Sequence, residues 1–282
     1  MALPTYASPL ERIWHYSFHI ICGLIFLFLI APILVIIPLS FNVEPYFTFT
    51  PGMLSFDPEA YSLRWYRDFI NNPQWIHSIE NSVFIGISAT ILATVLGTVA
   101  ALGLSRPEMP FRNLMMGILL SPMIVPLIIS AAGMYFFYSK IHLAQTHLGI
   151  ILAHTALGTP FVVITVTATM VGFDHSLTRA AASLGADPTT TFFKIIMPLI
   201  LPGVISGALF AFITSFDEVV VVLFLAGFDQ RTIPRQMWAG IREQISPTIL
   251  AVATLLVVIS IALLTTVELL RRRSVKIRGI VE

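Results

Sequence analysis

Along this chain, apolar runs of roughly 20 residues or more alternate with shorter polar stretches. The pattern predicts helices over residues 18–39, 79–104, 113–138, 148–173, 195–225 and 248–270. At about 1.5 Å per residue, each can cross a hydrocarbon core of about 30 Å. Backbone groups in lipid must find partners within the protein, and continuous apolar runs do so as helices rather than as barrel strands. The expected fold is therefore all-α: a polytopic membrane protein with six transmembrane helices and one transmembrane domain over residues 1–282. The first run is too long for the apolar part of a signal peptide, and no small-x-small cleavage site follows it, so it reads as a retained span. Pro32 and Pro38 within it are tolerable in a membrane helix.

Composition agrees. Hydrophobic residues make up 56% of the 282 and charged residues only 11%, where a soluble domain carries roughly a quarter charged. Mean hydropathy is +0.87. The net charge of +1 points to no class of partner, and nothing in the chain reads as nucleic-acid binding. Cys22 is the sole cysteine, so no intrachain disulfide can form.

An even number of spans puts both termini on one side. If that side is the cytoplasm, 10 of the 16 Lys and Arg lie inside, among them Arg271, Arg272, Arg273 and Arg278 beyond the last run. The outside ones sit mostly in longer loops, which weigh less. Cytoplasmic termini follow, and residues 174–194 become a cytoplasmic loop.

That loop carries "TRAAASLGADPTTTFFKIIMPLILPG", a small-residue, polar and helix-breaking stretch between two spans. Leu177, Ala180, Ala181 and Leu184 share one face of a short helix. Gly185 follows where a left-handed residue ends a helix. Asp187 then Pro188 restart one, with a capping oxygen followed by a ring already at helical φ. Two short helices joined by a glycine turn suit docking into another protein. The alternative is a hairpin resting on lipid headgroups, but such helices carry several basic residues, and Arg179 is alone between Leu177 and Gly185.

In spacing, Ala180, Ala181, Gly185, Ile195 and Pro198 resemble the cytoplasmic loop motif of permease subunits in bacterial binding-protein-dependent ABC importers: Glu-Ala-Ala, three residues, Gly, nine residues, Ile-x-Leu-Pro. Arg179 stands in place of the Glu and Met197 in place of the Leu. The resemblance extends over the six spans. "TPFVVITVTATMVGFD" and "FDEVVVVLFLAG" look like the spermidine/putrescine branch. It implies the type I importer permease fold, with residues 174–194 as the loop that couples to an ATPase. It also implies a second homologous permease, a cytoplasmic ATPase dimer, a periplasmic substrate-binding protein and a bacterial inner membrane location. ATP and Mg would sit on the ATPase, with no cofactor on this chain. The substrate stays open between polyamines, opines, amino-acid derivatives and ferric ion.

The chain has no G-x-x-x-x-G-K-[ST], H-E-x-x-H or G-x-S-x-G. His15 and His19 stand one helical turn apart, but two ligands make a weak metal site, and aromatic-belt packing with Trp14 and Tyr16 is the stronger reading. No metal site is expected. Asp217 and Glu218 interrupt the fifth run about 30 Å along it. Acids there are costly and face a cavity, a partner or a substrate. Ser215 and Glu218 have capping-box spacing, so the helix can break and restart here. With Phe212 and Phe216 beside them, the acids can equally pass an organic cation by charge and cation–π attraction. A six-span intramembrane enzyme is the rival class. It would need further catalytic groups near these acids, and no His or Cys is expected there. A channel or secondary carrier would need no docking loop. Gly203 and Gly207 suit close helix packing. Residues 41–78 form a long first loop, in which "SLRWYRDF" reads as an interfacial amphipathic helix.

Overall fold

The computed structural model describes residues 8–106, 108–174, 176–243 and 246–277. Among these, every regular element is helical, and the one extended contact is an isolated antiparallel bridge between Asn42 and Tyr61. The chain divides into two compact units, residues 1–72 with 240–282, and residues 73–239.

The first unit opens with α1 (Pro9–Leu39), which starts nine residues ahead of the expected apolar run. Ser8 and Glu11 close a reciprocal capping box at its start, and Pro9 follows at the first helical position. The His15 and His19 rings lie tilted against each other with centroids 4.2 Å apart. No third ligand joins them, since no group of three or more His, Cys, Asp or Glu forms a metal site among the described residues. The following loop folds around Asn42, whose amide donates to Tyr46 O and Thr48 O and whose carbonyl accepts from Trp65 Nε1 at 2.7 Å. After the short α2 (Pro51–Leu54), α3 (Arg64–Asn71) forms where the amphipathic pattern placed it. It buries Trp65 and Phe69 and so turns its apolar face to protein as well as to any interface.

The second unit begins with α4 (Pro73–Leu104), then α5 (Arg112–Ile124), α6 (Leu127–Lys140) and α7 (His147–Met170). The loop helices α8 (Ser176–Ser183) and α9 (Pro188–Thr191) lead into α10 (Met197–Phe216) and α11 (Val220–Leu225). Two further helices, α12 (Ile233–Glu243) and α13 (Thr248–Ile277), return the chain to the first unit, where the Thr248 hydroxyl donates to Asp68 at 2.7 Å.

The core of the second unit is α4, α7 and α10 packed together through small residues. A Cβ on Gly97 would lie 2.6 Å from Val162 Cβ, one on Gly158 would lie 3.0 Å from Ala211 Cβ, and one on Gly207 would lie 2.8 Å from Val162 Cα. A Cβ on Gly203 would meet Thr169 and Thr165 of α7. The G-x-x-x-G pair therefore serves close approach within this chain. We expect Gly207→Leu to wedge α10 from α7 and to cost about 1–3 kcal/mol, read as a lower thermal midpoint of the detergent-solubilised protein.

Among the described residues, four helices are long and apolar enough to cross a bilayer: Pro9–Leu39, Pro73–Leu104, His147–Met170 and Pro188–Phe216. α5 and α6 make a fifth crossing if counted as one, but they bend by 102°. α13 contributes the shorter apolar helix Thr248–Ala262. The expected span over 113–138 thus consists of two helices that meet at Pro126. Pro126 has no N–H to give to Pro122 O, and it holds Val125 extended at φ −71°, ψ 134°. In the fifth run, expected over 195–225, helix begins earlier, at Pro188, breaks after Phe216 and resumes over Val220–Leu225.

Candidate functional site

Two features stand at opposite ends of the 29-residue helix Pro188–Phe216. At its start lies the 174–194 loop. Ahead of α8, Asp174 accepts from Ser176 N at 2.8 Å and from the Ser176 hydroxyl at 2.7 Å. The helix ends in a Schellman turn. Ala186 N–H reaches Ala181 O and Gly185 N–H reaches Ala182 O, both at 3.0 Å. Gly185 takes φ +82°, the one positive-φ glycine among the described residues. Asp187 then caps α9 by accepting from Thr190 N at 3.1 Å. The Thr190 hydrogen bonds hold its carboxyl below the ordinary Asp range.

Of the four apolar positions on the α8 face, only Ala181 is buried. Leu177 is 41% and Leu184 is 88% exposed, and Ala180 and Arg179 are exposed as well. Ile195 lies in a widened π turn, Phe192–Ile196, where Met197 N–H bonds back to Phe192 O. That turn falls where Pro198 has no N–H for Lys194 O and where its ring would crowd that carbonyl in a regular helix.

At the other end α10 stops. Asp217 N–H closes the last turn on Ile213 O at 3.0 Å, and α11 begins at Val220. The expected break is present, but its capping is different. Ser215 is not the N-cap. It lies in the last turn of α10, and its hydroxyl is 2.8 Å from His154 Nδ1. Glu218 caps the restart instead, its carboxylate accepting from Val221 N–H at 2.9 Å. The two acids diverge, Glu218 being 8% exposed and Asp217 exposed. Phe212 and Phe216 stack at 5.4 Å against α4, over Gly86.

The far end of α11 is held by a polar network. Leu225 O accepts from Gln145 N at 2.8 Å. Asp229 O accepts from His77 Nε2 and from Asn81 Nδ2, each at 2.7 Å. Asn81 also accepts from His147 Nε2 at 2.9 Å. Arg235 donates to Ala226 O and Gly227 O. No sequence pattern assigns a role to these groups. No histidine is expected near the acids either, yet His154 is bonded to Ser215, two residues before Asp217. A signal was available in this case, because an imidazole inside an apolar run is itself a functional flag.

A helical membrane chain with a break at one end of a crossing helix and a capped helical hairpin at the other has the build of a transport permease. The family described as "Binding-protein-dependent transport system inner membrane component" matches residues 93–276, and the chain belongs to it. It is a permease subunit of an ABC importer, not an enzyme. It is 30% identical over 250 residues to the "Spermidine/putrescine transport system permease protein PotC" of Haemophilus influenzae, covering 89% of this chain and 94% of that protein. It is also 30% identical over 238 residues to the "Putrescine transport system permease protein PotI" of Escherichia coli, covering 82% of each. Among solved structures it resembles a chain of "a bacterial ABC transporter involved in the import of the acidic polysaccharide alginate". The TM-score is 0.73 at 16% identity, over 94% of this chain and 99% of that one. That likeness shows the fold.

Proposed function

We propose that this chain forms half of the membrane path of an importer for a small cationic, polyamine-like solute. The observation that carries the reading is its similarity, over most of its length, to permeases named for spermidine and putrescine. Asp217 agrees with it as an exposed carboxylate next in sequence to Phe216, whose ring stacks with that of Phe212. Glu218 is buried and accepts from Val221 N–H, and so shapes the break.

Leu177, Arg179, Ala180, Ala181, Leu184, Gly185, Asp187, Ile195 and Pro198 make the coupling site. The open apolar face of α8 docks on a cytoplasmic ATPase dimer, which holds ATP and Mg. Pro188–Phe216 is a rod of about 43 Å. A displacement of α8 at its foot moves the Asp217 break at its head. The remaining partners are a second permease, a periplasmic binding protein and the lipid of the bacterial inner membrane.

Six crossings and cytoplasmic termini complete the topology. Arg278, the last inside charge, lies outside the described residues. A reporter fused after Glu282 is expected to be active only in the cytoplasm, and periplasmic activity would reverse the orientation. The cargo is tested with radiolabelled putrescine and spermidine in vesicles holding the whole complex and its binding protein. ATP-dependent accumulation is expected. Uptake of a neutral or anionic solute in place of both would overturn the cationic reading.

A further inference from the structure

His154 is the most deeply buried polar side chain of α7, 1% exposed, and no role has yet fallen to it. Its Nδ1 lies 2.8 Å from the Ser215 hydroxyl, so the pair ties the middle of α7 to the last turn of α10. No protein group reaches Nε2, which is also buried. Replacing both partners with apolar groups of similar shape is often neutral or stabilising. Because apolar groups could replace such a pair at little cost, its position is what distinguishes it.

That position is the end of the rod. Ser215 is the last residue but one of α10, and two residues later stands Asp217. This turn also sets the Phe212 and Phe216 rings over Gly86, an apolar contact without directional preference. The bond to His154 is directional and fixes the rotation of the turn about its axis. Just past it, Glu218 fixes where α11 restarts. We propose that His154 is a positioning residue: through Ser215 it sets the orientation in which α10 ends, and with it the direction in which Asp217 is presented to the transport path. The inference rests on reading the break as part of the path, and not on the identity of the cargo.

The test uses the whole complex in vesicles, the binding protein in excess and radiolabelled putrescine as probe. His154→Leu and Ser215→Ala each lower the maximal rate roughly three- to tenfold, the worth of one buried hydrogen bond. The half-saturating concentration, set at the binding protein, stays unchanged. The double variant is no slower than either single one, because both remove the same bond. His154→Asn, whose amide falls where Nδ1 was, retains transport within about twofold. His154→Gln, which reaches toward Nε2, does not. The thermal midpoint of the double variant equals or exceeds that of the parent, so the loss of rate is not a loss of fold.

Losses that multiply in the double variant would overturn the proposal. So would an Asn variant as slow as Leu, or rates that fall only in step with the thermal midpoint. If the parent complex takes up no putrescine, the cargo reading fails. The same cycle is then read in binding-protein-stimulated ATP hydrolysis, where the same pattern is expected.

Discussion

A Gly185→Val chain is expected to reach the membrane in normal amount and to lose uptake about tenfold or more, while its partner continues to hydrolyse ATP. Gly185 sits at φ +82° with nothing within 4 Å of where a Cβ would be. The penalty is therefore purely one of backbone, about 1–2 kcal/mol for a left-handed residue and more for a β-branched one. The loop relieves that strain by changing the turn. Both Schellman bonds, to Ala181 O and Ala182 O, then have to be given up or bent. The direction of α8 changes relative to α9, and Leu184 and Leu177 no longer present the same surface. The turn lies away from the buried contacts of α4, α7 and α10, so folding and insertion survive.

Gly185→Asn is the control, because Asn tolerates the left-handed region better than other side chains do. It should keep most of the coupling. The measurement pairs uptake with ATP hydrolysis in the same vesicles. Wild-type uptake by the Val variant at wild-type abundance would remove this turn from the coupling mechanism.

The turn was legible in the sequence because it is local. Gly185, Asp187 and Pro188 each act on their own backbone or on that of a near neighbour, so their order alone specifies stop, turn and restart. The break at Asp217 was also legible as a position, since two acids in an apolar run need a reason. Its wiring was not. Ser215 and Glu218 have capping-box spacing, but Ser215 found a partner 61 residues away in His154. Glu218 was then left to cap α11 unaided, and spacing cannot tell a local partner from a distant one. The bend at Pro126 was hidden for a related reason. Membrane helices often tolerate proline, and whether one kinks or turns through 102° is decided by what packs around it. The network around Asn81 and Asp229 joins residues about 150 positions apart and has no periodic signature.

The second large effect separates the two acids. If Asp217 meets a cation in a partly dry path, Asp217→Asn should lower putrescine uptake by roughly 5- to 150-fold, the worth of an electrostatic contact of about 1–3 kcal/mol. The amide keeps the shape, and no cap depends on it, since Asp217 is exposed and the restart is capped by its neighbour. Glu218→Gln should transport nearly normally, because the Gln carbonyl oxygen can still accept from Val221 N–H. Glu218→Ala should fail, since it leaves that N–H buried and unmet where α11 begins. The failure should also appear as a lower thermal midpoint, which Asp217→Asn should leave unmoved. Vesicle uptake with the binding protein in excess reads the rates, and melting of the solubilised complex reads the fold. Full transport of putrescine by Asp217→Asn would take this carboxylate out of the path and leave the polyamine reading on sequence similarity alone. A Glu218→Gln chain as slow as Asp217→Asn, with its thermal midpoint intact, would instead return the second acid to the substrate and make both charges part of the mechanism.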